Sequence, residues 1–215
     1  AFEDMAGGFC FLNNVAIAAH YARQSVQRVA ILDIDVHHGN GTQDVFYDDG
    51  SVLFVSTHQY PYYPGTGALT DIGRGEGDGA TLNIPLRSGH GDKSYKMLFE
   101  KVIRPAAQRF QPDLIMVSAG FDAHHIDPLA MMQLSHTGYA HLTRDLKQMA
   151  DEICDGKIVF VMEGGYDLPA LAHGMRNVAH VLLGEDEISD YYGASNQREP
   201  EVEPLIEQLL ELHSL

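Results

Sequence analysis

The stretch Ala30-Ile-Leu-Asp-Ile-Asp-Val-His-His-Gly-Asn-Gly41 decides the fold and points to a site. With Val29 before it, it begins as a short apolar run that is typical of a buried strand. Because alternate residues of an extended strand share a face, Asp33, Asp35 and His37 are predicted to point the same way. Open α/β sheets bind ligands at the carboxyl ends of their strands, and an Asp/His set suits a divalent metal. The stretch therefore predicts a metal site, against the alternative of an ordinary solvated turn.

The composition limits the classes of protein and partner that the chain fits. Its 215 residues suffice for one large domain with a substantial core. The net charge of −16, from 30 acidic and 14 basic side chains, argues against nucleic acid and acidic membrane surfaces as partners. No apolar run approaches the ~20 residues of a membrane span, and no signal peptide is visible. Cys10 and Cys154 lack metal-site spacing, so we expect a reducing, cytoplasmic location.

Apolar runs and helical spacing alternate along the rest of the chain. Further strands are predicted at 51–58, 80–86, 113–120 and 157–162. Helices are predicted at 16–24, 43–47, 94–110, 138–153, 169–183 and 204–213, with Pro105 expected to kink or divide the third. This alternation predicts an α/β protein with a mainly parallel sheet. The Gly- and Pro-rich loop at 60–79 is too long to be a simple connection, so we expect it to be functional or mobile.

Polar residues follow several of these strands, as they follow the first. They are Ser56, Thr57 and His58, then Asp122, then Glu163-Gly-Gly-Tyr166. Two Asp and one His leave a tetrahedral zinc one ligand short, which is how catalytic zinc sites are built. Zinc-bound water is a nucleophile for amide hydrolysis, and a Tyr hydroxyl on a Gly-Gly turn suits a developing oxyanion. Taken alone, Tyr166 would fit a packing role and Phe9 a place in the core.

Six motifs, in order and at matching spacings, resemble the zinc-dependent histone deacetylase family. They are Gly8-Phe-Cys10 with Asn13-Asn14, Asp33-Ile-Asp-Val-His-His-Gly-Asn-Gly41, Tyr63-Pro-Gly-Thr-Gly67, Ser118-Ala-Gly-Phe-Asp-Ala-His124, Asp127-Pro-Leu129 and Glu163-Gly-Gly-Tyr166. The family includes bacterial histone-deacetylase-like amidohydrolases, acetylpolyamine amidohydrolases and acetoin-utilisation proteins. The resemblance covers residues 1 to about 184. It implies an arginase/deacetylase-like three-layer α/β/α fold with about eight mainly parallel strands.

The resemblance also implies a role for each matched residue. Zinc would be held by Asp35, His37 and Asp122, and Tyr166 would polarise the acyl carbonyl. An inner potassium ion would be held by Asp33, Ser56 and Thr57 with backbone carbonyls of Asp35 and His37. A second potassium ion would lie on the backbone near Phe46, Asp49, Val52 and Ala80. The acyl-lysine tunnel would have Phe9 and Tyr63 as walls, with Gly8, Gly165 and Leu129 at its lining or rim.

The N-terminal end of the sequence departs from the family pattern. The family's catalytic His-His pair lies in a Pro-Gly-His-His-Ala segment whose last residue would match Ala1. By motif, neither His37-His38 nor His124-His125 replaces that pair. We therefore expect residues 1–215 to be a single catalytic domain that lacks its first strand or strands and turns over poorly by itself. Within it, residues 185–215 are predicted to form an acidic segment with a final helix.

Three functions compete at this point. A zinc deacylase acting on acetyl-lysine is favoured, ahead of a binuclear manganese ureohydrolase and a non-catalytic acyl-lysine-binding module. The ureohydrolase would need a bridging carboxylate where this chain has Gly39. The expected substrate is an acyl-lysine peptide or a small acetylated amine. The resemblance places Leu129 where the acetylpolyamine-selective members of the family carry an acidic gatekeeper. An apolar residue there gives no preference for a second ammonium group, so an acetylpolyamine is the less favoured substrate.

Overall fold

A computed structural model describes all 215 residues, which form one five-stranded sheet flanked by helices. The strands are β1 (Val29–Asp33), β2 (Val52–Gln59), β3 (Thr81–Leu86), β4 (Leu114–Ala119) and β5 (Ile158–Met162). They lie in the order β3-β2-β1-β4-β5, and every neighbouring pair is parallel. The predicted parallel sheet is confirmed, with the opening stretch at its centre. The chain contributes five strands, where the resemblance implied about eight.

Seven α-helices connect or follow the strands. They are α1 (Asn14–Ala22), α2 (Asn40–Phe46), α3 (Asp92–Leu98), α4 (Arg104–Phe110), α5 (His136–Cys154), α6 (Leu168–Leu183) and α7 (Glu203–His213). The predicted helix at 94–110 is divided, as expected: a π-helical turn at Phe99–Ile103 precedes Pro105, which has no N–H to donate. Asn13, Ser135 and Asp167 cap α1, α5 and α6 through their side chains. None of the helices combines the length and apolar character that a membrane span needs.

The two faces of the sheet carry cores of different size. Leu32, Val55 and Val117 point into a cluster of 33 buried residues that also includes residues of α3 to α7. Ile31 and Phe54, on the opposite face, belong to a cluster of nine buried residues completed by α1 and α2. Adjacent residues of a strand are therefore buried on opposite faces of the sheet, as the pleat requires. The resulting three layers, helix on sheet on helix, are the α/β/α arrangement that the resemblance implied.

The carboxyl ends of the parallel strands bring the predicted polar residues to one edge. Asp33 lies beside Ser56 of β2 on one side and Ser118 of β4 on the other. Beyond the strands, the chain stays hydrogen-bonded, with Glu163 N–H donating to Ala119 O and Phe121 N–H to Gly164 O. Ile34 N–H, after β1, donates to Ser118 O, so backbone hydrogen bonds hold the segments after β1, β4 and β5 side by side.

The C-terminal strap, residues 185–202, joins α6 to α7 without regular secondary structure. It crosses the first turns of α5 and one side of α6. Asp190 contacts Thr137 at the start of α5, and Ser189 contacts Asn177 in α6. The strap is thereby held to the body of the domain by polar side chains.

Candidate active site

The three predicted zinc ligands lie together at the ends of β1 and β4. His37 Nδ1 is 3.1 Å from Asp35 Oδ1 and 3.1 Å from Asp122 Oδ2. One ligand atom of each residue lies within 4.8 Å of the other two. Two carboxylates and one imidazole, converging in this way, form a donor set that fits zinc and leaves a coordination position open.

Backbone N–H groups orient both carboxylates. Asp35 Oδ2 accepts a hydrogen bond from Gly164 N–H over 2.8 Å, and Asp122 Oδ1 accepts one from Val36 N–H over 2.9 Å. Gly164 is required at this place, because a Cβ there would lie 2.2 Å from Asp122 Oδ2. The site is thus held in shape by the sheet and its adjoining turns, as outer contacts of metal ligands usually are.

The electrostatics of the cluster favour a cation. Burial acts to lower the pKa of His37, but hydrogen bonds and charges from Asp122 and Asp35 outweigh it and raise that pKa to about 10. Burial, followed by the charge of Asp35, raises the pKa of Asp122 to about 7. The cluster therefore retains protons that a bound divalent ion would replace.

Asp33, which is predicted to hold the inner cation, is buried next to the cluster. Burial, followed by the charges of Asp35 and Glu163, raises its pKa well above the ordinary value. Thr57 Oγ1 donates to the backbone carbonyl of Asp33 over 3.2 Å, and Ser56 is its neighbour in the sheet. A buried carboxyl among hydroxyl and carbonyl oxygens fits a monovalent cation, which would compensate its charge.

His58 is a residue of this inner region to which the sequence assigned no role. Its Nε2 lies 2.9 Å from Gly67 O and therefore carries the proton, which leaves Nδ1 to accept from the Ser56 hydroxyl 3.0 Å away. Burial lowers the pKa of His58 to about 3, so the ring is neutral. The Ser56 oxygen consequently keeps both lone pairs free. The sequence feature that could have indicated this role is the position of His58 beside Ser56 and Thr57, at the polar end of a strand.

The predicted second potassium site falls on the connection around β2. Its carbonyl groups already accept backbone hydrogen bonds: Phe46 O from Asp49, Asp49 O from Val52, and Ala80 O from Phe54. A carbonyl oxygen has two lone pairs, so each keeps one for a further partner. The binding of an ion by Phe46, Asp49, Val52 and Ala80 stays a prediction.

A cavity of about 750 Å³ opens in front of the metal cluster and contains the predicted tunnel residues. Its lining includes Gly8, Phe9, Tyr63, Leu129, Gly165 and Tyr166. Phe9 is 86% exposed, so the alternative of a core aromatic at that position is wrong. The Phe9 ring lies 6.0 Å from that of Tyr166, and the Tyr63 ring lies 6.0 Å from that of His37.

Tyr166 lines the same cavity as the residues that follow β1. Its ring centre is 6.3 Å from that of His37, and its N–H donates to Asp127 Oδ2 over 2.7 Å. Burial raises the pKa of Tyr166 above its ordinary value, which keeps the hydroxyl protonated and able to donate. Asp127 was part of a recognised motif but had no assigned role. Its second oxygen accepts from Leu129 N–H over 2.9 Å and so joins the cavity rim to Tyr166.

The other histidines near the site have their ring nitrogens occupied. His38 Nδ1 lies 2.8 Å from Thr66 Oγ1, and its Nε2 lies 2.9 Å from Gln43 Oε1. His124 Nδ1 accepts from Ile126 N–H, and its Nε2 faces His136 at 3.3 Å. Both side chains are buried, and neither presents a free nitrogen to the cavity.

Known proteins with similar sequences span this whole site. Residues 1–182 match the family model of the histone deacetylase domain. Histone deacetylase 14, chloroplastic, of Arabidopsis thaliana is 49% identical over 187 residues, which are 86% of this chain and 44% of that protein. A probable deacetylase of Archaeoglobus fulgidus is 45% identical over 184 residues, 85% of this chain and 51% of that protein. The chain thus spans about half the length of these curated relatives.

Solved structures agree with the sequence comparison. The HDA15 HD domain superposes with a TM-score of 0.85 at 38% identity, covering 97% of this chain and 56% of that one. The histone deacetylase Clr3 gives a TM-score of 0.86 at 38% identity, covering 97% of this chain and 36% of that one. Sequence motifs, fold and family match coincide, and the chain therefore belongs to the histone deacetylase family.

Proposed function

We propose that this site hydrolyses the acyl amide of acetyl-lysine with the help of zinc. The observation that carries the proposal is the cluster of Asp35, His37 and Asp122 facing the same cavity as Tyr166. Zinc, when bound by these three residues, supplies the Lewis acidity that activates water and polarises a carbonyl. Membership of the histone deacetylase family supports the same reaction class.

The residues of this chain supply binding and electrostatic stabilisation. The protonated hydroxyl of Tyr166 donates to the acyl oxygen as negative charge develops on it. Phe9 and Tyr63 flank the alkyl chain of the substrate, and Leu129 meets it at the rim. Asp33 and Ser56, with Thr57, hold the proposed inner potassium ion, which offsets the negative charge beneath the zinc ligands.

The reaction also needs a proton acceptor, and neither of the histidines that line the cavity, His37 and His38, fits that role. His37 is a metal ligand in the proposal, and His38 and His124 have both ring nitrogens engaged. General acid–base groups typically contribute about 10²- to 10⁴-fold to such reactions. The 215-residue chain is therefore expected to bind zinc but to turn over slowly. In the whole protein, we propose that the family's His-His pair takes the proton.

The manganese ureohydrolase alternative conflicts with the space around Gly39. A Cβ on Gly39 would lie 2.2 Å from Asp33 Oδ2, so a bridging carboxylate has no room there. A second metal in the cavity would lack that ligand. This geometry supports the single-zinc reaction over the binuclear one.

The rim residue Leu129 supports acetyl-lysine over acetylpolyamines as substrate. An apolar side chain offers no attraction to the second ammonium group of a polyamine. Leu129→Glu is therefore expected to raise the rate on acetylputrescine relative to an acetyl-lysine peptide, by roughly three- to tenfold, the effect of one partly exposed ion pair. The comparison is made on both substrates with each variant. A native protein that already prefers acetylputrescine would contradict this substrate assignment.

The deciding experiment measures zinc and hydrolysis together. The protein is depleted of metal with a chelator, reloaded with zinc, and assayed in single turnover with a fluorogenic acetyl-lysine peptide. Slow hydrolysis that needs both zinc and the Tyr166 hydroxyl is the expected result. Peptide binding without any zinc-dependent hydrolysis would instead support a non-catalytic acyl-lysine-binding module.

A further inference from the structure

The C-terminal strap reaches the residue that follows Tyr166. It lies beyond residues 1–182, the part that matches the family model, yet the Tyr192 hydroxyl donates to Asp167 Oδ1 over 3.0 Å. The same oxygen accepts from Ala170 N–H over 2.8 Å and so caps α6. One carboxylate oxygen therefore joins the strap, the start of α6 and the turn that carries Tyr166.

Tyr192 is also held by contacts to α5 that do not involve its hydroxyl. On the strap, Asp190 accepts from Thr137 Oγ1 over 2.7 Å. The Tyr192 ring lies nearly parallel to the ring of His136, at 6.1 Å and 11°. These contacts reach the first turn of α5, so the tyrosine is anchored on a helix other than the one it helps to cap.

The turn that carries Tyr166 is held by hydrogen bonds up to Gly164 and has fewer contacts beyond that residue. It leaves β5, an edge strand that pairs only with β4, and passes through Gly164 and Gly165. Gly165 has φ +141°, a backbone region that favours glycine. Tyr166 itself is held at its N–H by Asp127, and the next fixed point along the chain is Asp167. The orientation of the Tyr166 side chain thus depends on how firmly Asp167 is held.

We propose that Tyr192 is a positioning residue for Tyr166. Its hydrogen bond to Asp167 fixes the start of α6, and thereby the direction in which the Tyr166 hydroxyl enters the cavity. The inference rests on the proposed role of Tyr166 in hydrolysis. Without the Tyr192 hydroxyl, Asp167 still caps α6 but can rotate, and the turn before it samples more orientations.

The chain offers a matched control in the neighbouring residue. Tyr191 stacks on His173 at 4.7 Å and 14°, but its side chain is 60% exposed and its hydroxyl makes no hydrogen bond. Tyr192→Phe and Tyr191→Phe therefore delete the same atom from adjacent rings of the strap. Only the first deletion removes a contact with Asp167.

Amide hydrogen exchange tests the contact without depending on catalysis or metal. Tyr192→Phe is expected to speed exchange at the Tyr166 and Ala170 amides by roughly three- to tenfold, the effect of one lost hydrogen bond at a partly exposed site. The Ser189 amide, which donates to Asn177, is expected to stay unchanged and reports on the strap itself. Equal exchange in Tyr192→Phe and Tyr191→Phe would overturn the proposal.

Single-turnover hydrolysis of the acetyl-lysine peptide separates positioning from a general structural effect. Tyr192→Phe is expected to lower the rate constant by roughly three- to tenfold with the half-saturating peptide concentration unchanged, and to have no further effect in a Tyr166→Phe background. An equal loss in both backgrounds would also overturn the proposal. If the unsubstituted protein hydrolyses nothing, the proposed function fails, and the exchange rates alone decide whether Tyr192 positions the turn.

Discussion

The metal-binding half of the site and the tyrosine-bearing half are built on different parts of the sheet. Asp35, His37 and Asp122 follow β1 and β4, two strands that are paired on both sides. Tyr166 follows β5, which is paired on one side only and leaves Val159 and Met162 exposed. The ligands thus extend from the doubly paired centre of the sheet, and the tyrosine extends from its edge.

This difference shows which contacts position the side chains of each half. Metal ligands need a fixed distance and angle, which doubly paired strands and the surrounding backbone N–H groups provide. A residue on an edge turn lacks that support and must be held by contacts from elsewhere in the chain. Asp127 and Asp167 supply two such contacts, one at the tyrosine and one just after it.

Removal of a metal ligand is expected to have the largest effect. Asp122→Ala leaves two protein ligands where three are already the minimum for a catalytic zinc, so zinc affinity should fall more than ~100-fold. Chelator competition measures this loss. Asp186→Ala, at an exposed acid of the strap, is the control for charge alone. Stoichiometric zinc in Asp122→Ala under the same challenge would show that the ligand set is wrong.

Loss of the tyrosine hydroxyl is expected to affect the other half alone. Tyr166→Phe should slow single-turnover hydrolysis by about 10²- to 10³-fold, the usual effect of removing one oxyanion donor. Zinc affinity should stay at the native value, because the hydroxyl is not among the ligands. Rates and chelator competition on the same preparation check both parts. A parallel fall in zinc affinity would mean that the two halves are not independent.

The contact between Asp127 and the tyrosine turn is expected to give an intermediate effect. Asp127 accepts from Tyr166 N–H and from Leu129 N–H through different oxygens. Asp127→Asn keeps the size but leaves one of these N–H groups facing an amide NH₂. Hydrolysis should slow by roughly tenfold, the cost of one unsatisfied hydrogen bond. Zinc titration should be unaffected, and a change in zinc binding would contradict a role confined to the tyrosine half.

The two halves also differ in how far the sequence predicts them. Asp35 and His37 stand two residues apart at the end of one strand, and Asp122 follows a second strand, so period and parallel topology bring them together. The fixed points of Tyr166 depend on long-range contacts instead. Tyr192 lies 25 positions after Asp167, in a strap whose sequence shows only acidity and no period. No local rule predicts which strap hydroxyl meets which carboxylate.

The far end of the strap is expected to serve stability without serving the site. Glu199 accepts hydrogen bonds from the N–H groups of Gly91, Lys93 and Ser94 and from the Ser94 hydroxyl, where α3 begins. Burial acts to raise the pKa of Glu199, but these bonds outweigh it and hold that pKa below the ordinary value of 4.5. The carboxylate therefore stabilises the fold fully above pH 4.5, and this contribution is lost as the pH falls through the lowered pKa.

Glu199→Gln is accordingly expected to have the smallest effect on the site and a measurable one on folding. It should lower the free energy of unfolding at pH 7 by about 1–3 kcal/mol, because an amide cannot accept with both ends. The difference should shrink as the pH falls through the lowered pKa of the native carboxyl, because that group then becomes protonated itself. Urea unfolding at a series of pH values from 7 downwards measures it, with the exposed Glu201→Gln as control. A loss that does not change with pH would contradict the role of the charged carboxylate. Weaker zinc binding would show that this end of the strap also supports the metal-binding half.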